Sequence, residues 1–279
     1  MMVAPNANAV AHSVDLKGVQ ETMLWPLWNR ASEARRPETV LKDSLCLELV
    51  EKIDYPFAAH FGRPNVLHAV RARYSDDLIK SFSEKHAYEP VVVALGEGLE
   101  TQLWRLQETP LQWFSIDLPD ASSLRQSFLP SHDKQHFIRK SVQDLAWLDS
   151  IPCDAPVFVS AAGLLMYFHE DEVIRLLTAI AERFSGAELF FDTIGPAISQ
   201  KTKRGLDITK DYRAPEMPWG ISIDEIPAFV ERIPRLRTLS VKSFSEPFPK
   251  RTPVYRIMSG IGILRRRFAS SLVHAKVDP

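Results

Sequence analysis

The stretch Val91-Val92-Val93-Ala94-Leu95-Gly96-Glu97-Gly98 limits the possible fold of this chain more than any other. Its apolar residues run without alternation and include β-branched ones, so a strand here must be covered on both faces. A sheet with one wet face would need a polar residue at every second position. The strand leads directly into a Gly-x-Gly turn. Glycine there admits positive φ and lets a ligand approach the backbone closely. Asp117 closes the next apolar run, Trp113-Phe114-Ser115-Ile116, about 20 residues after Gly96. In Rossmann-type folds an acid at this place accepts hydrogen bonds from ribose hydroxyls.

Further runs of this type follow at Pro156-Val157-Phe158-Val159 and Glu188-Leu189-Phe190-Phe191, with a weaker one at His136-Phe137-Ile138. Thr238–Val241 reads as a late strand, and Leu272–Val277 as a last one pairing antiparallel with it. Between the runs lie helical segments. In Glu170–Phe184, Val173, Leu176, Leu177 and Ile180 are in phase, and Glu170-Asp171-Glu172 suits the positive end of the helix dipole. Ile223–Ile233 reads as another helix, and Gly260–Phe268 as one that ends in the basic cluster Arg265-Arg266-Arg267. The expected fold class is α/β: a Rossmann-like, doubly wound, mostly parallel sheet of seven strands.

The flanks add to this core. Residues 1–14 are small and polar, which predicts an unstructured N-terminus. Residues 15–88 carry helical periodicity, as at Leu24, Leu27 and Trp28 or Leu45, Leu49, Val50 and Ile53, broken by Pro56, Gly62 and Pro64. They read as a helical cap on a core spanning 89–279, with 15–279 as one domain. After the fifth strand, residues 196–220 are Pro-containing, charged and aromatic, which suits a lid-like insertion.

Composition excludes several classes. The formal net charge of −1 gives no global field that would recruit nucleic acid or an anionic membrane. No apolar stretch approaches the roughly 20 residues of a membrane span, and residues 1–14 lack a signal-peptide layout. A cytoplasmic location is expected. Cys46 and Cys153 have no metal-ligand spacing and read as reduced, buried thiols, so no metal is expected.

The third glycine of the dinucleotide fingerprint is missing, with Thr101 in its place. That glycine permits close helix packing beside a pyrophosphate. A cofactor with a ribose but no pyrophosphate does not demand it, and S-adenosylmethionine is such a cofactor. A nicotinamide-dependent oxidoreductase is disfavoured on the same ground.

The segment Gly96–Leu106 followed by Asp117-Leu118-Pro119 resembles the signature of the leucine carboxyl methyltransferase family, most closely its tetracenomycin polyketide O-methyltransferase-like branch. Gly18–Leu27 with Arg30-Ala31, Lys42-Asp43, Ile53-Asp54-Tyr55, Gly163–Tyr167 and Pro218-Trp219-Gly220 agree with that branch in the same order. The resemblance spans residues 15–245. It implies a class I methyltransferase using S-adenosylmethionine.

It also implies residue roles. An arginine five residues before an acid holds the methionine carboxylate, which Arg71 with Asp76 matches; Arg73 is an alternative. Guanidinium suits this task because it binds carboxylate bidentately. Gly96 and Gly98 would line the methionine portion, Asp117 and Leu118 the ribose, and Asp144-Leu145 the adenine. Ala162 stands where relatives often carry a polar group near the methyl donor. Glu97 stands where a small residue is usual, either attracting the sulfonium or pointing to water.

The implied reaction is methyl transfer to a carboxylate or phenolic oxygen of a small-molecule acceptor, polyketide-type in this branch. The alternatives are protein C-terminal carboxyl methylation and a catalytically impaired cofactor-binding protein. A carboxylate, ionised above about pH 4, needs no base; a phenol, with a pKa near 10, would benefit from one. His169 is the candidate base, and Tyr167 beside it is the other candidate catalytic residue. Trp25, Trp28, Tyr167, Tyr212, Arg213 and Trp219 are the candidate acceptor-binding residues, between the N-terminal helices and the insertion, where aromatics suit a flat substrate.

Overall fold

The computed structural model describes residues 12–13, 18 and 20–279, with only the backbone at 12–13. Seven strands form one sheet: β1 (Val91–Leu95), β2 (Gln112–Asp117), β3 (Gln135–Arg139), β4 (Val157–Ala161), β5 (Glu188–Thr193), β6 (Leu236–Ser243) and β7 (Ser271–Val277). Their spatial order is β3-β2-β1-β4-β5-β7-β6. The first five run parallel, and β7 lies antiparallel between β5 and β6. The expected doubly wound sheet and its antiparallel final strand are both present. The strand order reverses between β1 and β4, which opens a crevice at the carboxyl ends of these strands.

The unbroken apolarity of β1 has the anticipated cause. Val91, Val93 and Leu95 enter a core on one face, Val92 and Ala94 a second core on the other. The described residues also form eleven α-helices: α1 (Leu24–Ala34), α2 (Ser44–Lys52), α3 (Phe57–Phe61), α4 (Leu67–Glu84), α5 (Gln102–Arg105), α6 (Pro119–Phe128), α7 (Glu170–Arg183), α8 (Pro196–Lys203), α9 (Ile226–Val230), α10 (Pro253–Gly260) and α11 (Gly262–Phe268). Helix α7 lays Val173, Leu176, Leu177 and Ile180 on the first face. Full burial of each such side chain stabilises the fold by about 1.5–3 kcal/mol.

The second face carries α4, and this changes the reading of residues 15–88. Val70, Ile79 and Phe82 of α4 pack against Val92, Phe158 and Phe190 of the sheet. Helix α4 is therefore a layer of the core, and the cap consists of α1, α2 and α3. Their apolar faces form a third cluster, with Leu24, Leu27, Leu49, Phe57 and Phe61 at its centre. The unstructured stretch expected over 1–14 lies outside the described residues except at His12–Ser13, which pair parallel with Ile53–Asp54.

The 196–220 segment contains α8 and a short antiparallel pairing of Leu206–Asp207 with Arg213–Ala214. Tyr212 inserts into the cap cluster, and Thr209 Oγ1 donates to His60 O at 2.9 Å, so the segment is fastened to the cap. Two helices differ from expectation. Gly260–Phe268 is split at Ile261, whose backbone is extended (ψ 108°) between two glycines of low helix propensity. Regular helix in 223–233 covers only Ile226–Val230, with Pro227 in its first turn. Cys46 is buried as expected, whereas Cys153 is exposed in the turn before β4. Among the described residues no helix is long and apolar enough to cross a membrane, and no cluster of three His, Cys, Asp or Glu could hold a metal.

Candidate functional site

The Gly-x-Gly turn sits where β1 ends, and its conformation requires its glycines. Gly96 has φ +58° and Gly98 φ +51°. A Cβ on Gly96 would meet Leu164 Cδ1 at 2.6 Å, and one on Gly98 would meet Met23 Cβ at 2.9 Å. Asp117, at the end of β2, reaches back to the turn: Gly98 N donates to its Oδ2 (2.9 Å) and Leu118 N to its Oδ1 (2.8 Å). Burial raises the Asp117 pKa above the ordinary carboxylate value, while the two backbone donors and Arg125 oppose the shift.

Three buried arginines hold the turn from outside. Arg30 donates to Leu99 O (2.9 Å) and pairs with Glu100 (2.9 Å). Arg105 contacts Glu100, Asp43 and Asp76 at 2.7–2.9 Å. Arg125 donates to Gly98 O (2.7 Å) and Glu100 O (2.6 Å). Arg125 also forms an ion pair with Glu97 at 3.1 Å. Glu97 accepts from Trp113 Nε1 (3.2 Å) and from the Ser115 hydroxyl. The Glu97 carboxylate is thus the buried counter-ion of Arg125, which rules out the bulk-water expectation, while Glu97 is also among the residues lining the cavity.

At the other side of the crevice Arg71 pairs with Asp192 on β5, Nη1 to Oδ2 at 3.1 Å. Gly163 N donates to Asp192 Oδ1 at 2.5 Å. Gly163 has φ +74°, and a Cβ there would strike the Arg71 guanidinium at 2.5 Å. Glycine at 163 is what lets the cation lie against the backbone. Asp76 is not the partner of Arg71: it takes Arg105 bidentately through Nε (2.8 Å) and Nη2 (3.0 Å). Arg73 is exposed and pairs with Asp77, so it is no rival for the cavity.

These elements enclose a cavity of about 400 Å³. Of the residues expected at the site, Arg71, Gly96, Gly98, Asp117, Leu118, Ala162, Tyr167 and Trp25 line it. Burial raises the Tyr167 pKa, against the opposing effects of Thr22, which is hydrogen-bonded to it, and Arg71. The hydroxyl therefore stays protonated near neutral pH.

The other expected residues do not line the cavity. Asp144 is exposed, caps the following turn through Ala146 N (3.2 Å) and pairs with Lys140 (3.1 Å), while Leu145 packs on the core. Ser141 and Val142, just before them, take the lining position. His169 is an exposed N-cap whose backbone N–H donates to Glu172 Oε2 at 2.8 Å, and its place outside the cavity lining removes it as a base. Trp28 donates to Gly62 O (3.2 Å) and stacks on Phe57. Trp219 is core packing against Phe229. Tyr212 belongs to the cap cluster, and Arg213 is exposed and paired with Asp207 at 2.6 Å.

Sequence reasoning missed Asp192, His68 and the three arginines clamping the turn. Asp192 was legible only as the polar end of β5. Arg30 and Arg105 fall within the motifs that carry the resemblance, but no local spacing marks them or Arg125 as a clamp; only the fold buries their side chains together.

Comparison with known proteins agrees with this geometry. A family model described as leucine carboxyl methyltransferase matches residues 24–181. The tetracenomycin polyketide synthesis O-methyltransferase TcmP of Streptomyces glaucescens is 30% identical over 231 residues, 82% of this chain and 84% of that one. The S-adenosyl-L-methionine-dependent methyltransferase dpfgK of Gibberella zeae is 31% identical over 205 residues, 65% of this chain and 68% of its own length. A solved structure of a candidate methyltransferase from Thermobifida fusca YX superposes with a TM-score of 0.56 over 76% of this chain and 80% of that one. Its 15% identity makes it a likeness of fold alone. The resemblance read from the motifs is borne out: the chain belongs to the leucine carboxyl methyltransferase family and is an S-adenosylmethionine-dependent methyltransferase.

Proposed function

We propose that this chain methylates a carboxylate or phenolic oxygen of a small, polyketide-type acceptor. The observation that carries the reading is the second half of the cavity. The cap and the 196–220 segment bring apolar side chains to its lining, among them Trp25, Ile198, Leu206, Ala214 and Met217. A chamber walled in this way suits a flat, largely apolar molecule.

The remaining cavity fits the cofactor. β5 and β3 are four inter-strand spacings of about 4.8 Å apart, so a trough of roughly 19 Å runs across the strand ends. Arg71 at one end offers the cation for a methionine carboxylate. Asp117 offers oxygen lone pairs for ribose hydroxyls, and Leu118, Ser141 and Val142 an adenine-sized wall. When bound, the cofactor supplies an electrophilic methyl group on sulfonium. The chain's part is alignment and exclusion of water, which is sufficient for an acceptor that is already an anion.

The reading is tested by incubating the protein with labelled S-adenosylmethionine and panels of aromatic acids and phenols. Label should enter small molecules. Base-labile label marks an ester and base-stable label an ether. Label found only in protein would overturn the small-acceptor reading in favour of C-terminal carboxyl methylation.

A further inference from the structure

One polar side chain in the cavity has its protonation fixed by its neighbours. Asn65 N donates to Asn29 Oδ1 at 3.1 Å. This backbone donor orients the amide, since only its oxygen can accept. Asn29 Nδ2 then faces His68 Nδ1 at 2.6 Å. An amide nitrogen only donates, so Nδ1 accepts, and in the neutral ring the proton sits on Nε2. Asn29 is wholly buried and does not line the cavity, whereas His68 does, which leaves the Nε2–H edge to the cavity. Trp25 meets the imidazole edge-on, with centroids 5.9 Å apart, and steadies its plane.

The ring is also held neutral. Burial, Arg71 and Arg30 push its pKa well below the ordinary histidine value, with only Glu100 opposing. His68 is moreover the second residue of α4, at the positive end of the helix dipole.

We propose that His68 is a fixed hydrogen-bond donor that selects the acceptor by gripping an oxygen lone pair beside the oxygen to be methylated. That neighbour is the second oxygen of a carboxylate or a carbonyl flanking a phenol. The assignment rests on the O-methylation reading above. It also excludes His68 as the base, because the nitrogen facing the acceptor already carries a proton.

Two measurements test it. The first is the ¹⁵N spectrum of histidine-labelled protein with S-adenosylhomocysteine bound, the His68 signals being assigned by their loss in His68→Gln. A pyridine-like Nδ1 and a pyrrole-like Nε2 at neutral pH are expected. A proton on Nδ1 alone, or on both nitrogens, overturns the proposal.

The second compares binding of 1-hydroxy-2-naphthoate with that of 1-naphthol, which lacks the flanking carboxylate. In the wild type the naphthoate should bind about tenfold more tightly, the preference expected of roughly one charge-assisted hydrogen bond. His68→Phe should bring the two within about threefold, and His68→Gln, which keeps an N–H donor, should restore most of the difference. S-adenosylhomocysteine affinity in all three proteins reports whether the cofactor site has survived. A preference unchanged in His68→Phe overturns the proposal alone. Binding of neither naphthalene to a wild type that still binds S-adenosylhomocysteine overturns the small-aromatic acceptor reading and this proposal with it.

Discussion

At residues 96–100 three guanidinium groups converge from three helices, Arg30 of α1, Arg105 of α5 and Arg125 of α6, and each ends on a backbone carbonyl or a carboxylate. Because all three are buried, each needs its counter-charge. Removing one partner of a buried pair costs about 3–5 kcal/mol, since the remaining charge is stranded. Glu97→Gln should therefore lower the unfolding free energy by about 3 kcal/mol in urea titration. A change below about 0.5 kcal/mol would show that the Glu97–Arg125 pair contributes no more to stability than an ordinary surface contact. The unusual size of residue 97 was legible in the sequence, but its meaning was not, because Arg125 lies on another helix and only the fold brings the two together.

Asp117 gives the pH prediction. Its carboxyl pKa is raised by burial, so on acidification it takes up a proton at a higher pH than an ordinary aspartate does. A protonated carboxyl is a poorer acceptor for two ribose hydroxyls. Affinity for S-adenosylmethionine should thus be full where Asp117 is ionised and fall as pH drops through its raised pKa. In Asp117→Asn the affinity should be weaker at neutral pH and nearly flat across the same range. An equally steep fall in the variant would assign the titration to another group.

On the scale of elements, the glycine turn is wedged between β1 and the start of α1. Gly98→Ala combines a left-handed backbone, costing about 1–2 kcal/mol for an L-residue, with a Cβ 2.9 Å from Met23 Cβ. It should lower the melting temperature and weaken cofactor binding together, read by thermal melts and titration calorimetry. The 196–220 segment is held differently, by Tyr212 among the cap helices. Tyr212→Ala should cost about 3 kcal/mol of packing, speed proteolysis within 204–211 and cut acceptor turnover. Its S-adenosylmethionine affinity should stay within threefold, since Tyr212 does not line the cavity. A large loss of cofactor affinity would mean that the segment also organises the glycine turn.

Element types were readable because period and punctuation are local properties. Which aromatics belong to a lid and which to a core was not readable. Trp28, Tyr212 and Trp219 have the same composition in either place, and only tertiary packing assigns them to clusters. The cap boundary failed for a related reason: α4 has the periodicity of any amphipathic helix, and nothing local says that its apolar face meets the sheet.

For the whole molecule, the sheet order β3-β2-β1-β4-β5-β7-β6 places Asp117, the glycine turn, Gly163 and Asp192 at successive strand ends of one crevice. Gly96, Gly98 and Asp117 were found from sequence because they sit on adjacent strands at a characteristic spacing. The Arg71–Asp192 pair joins α4 to β5, and no local spacing encodes it; the nearby Asp76 fitted the expected interval but serves Arg105. The central claim is that one trough, with Arg71 at one end and Asp117 along it, holds S-adenosylmethionine. Titration calorimetry of S-adenosylmethionine against the wild type, Arg71→Ala and Asp117→Ala tests it most directly. The trough predicts micromolar binding to the wild type and at least about tenfold weaker binding to each variant, roughly 1.4 kcal/mol or more per contact. Undiminished affinity in both variants, or no heat with the wild type, would contradict it.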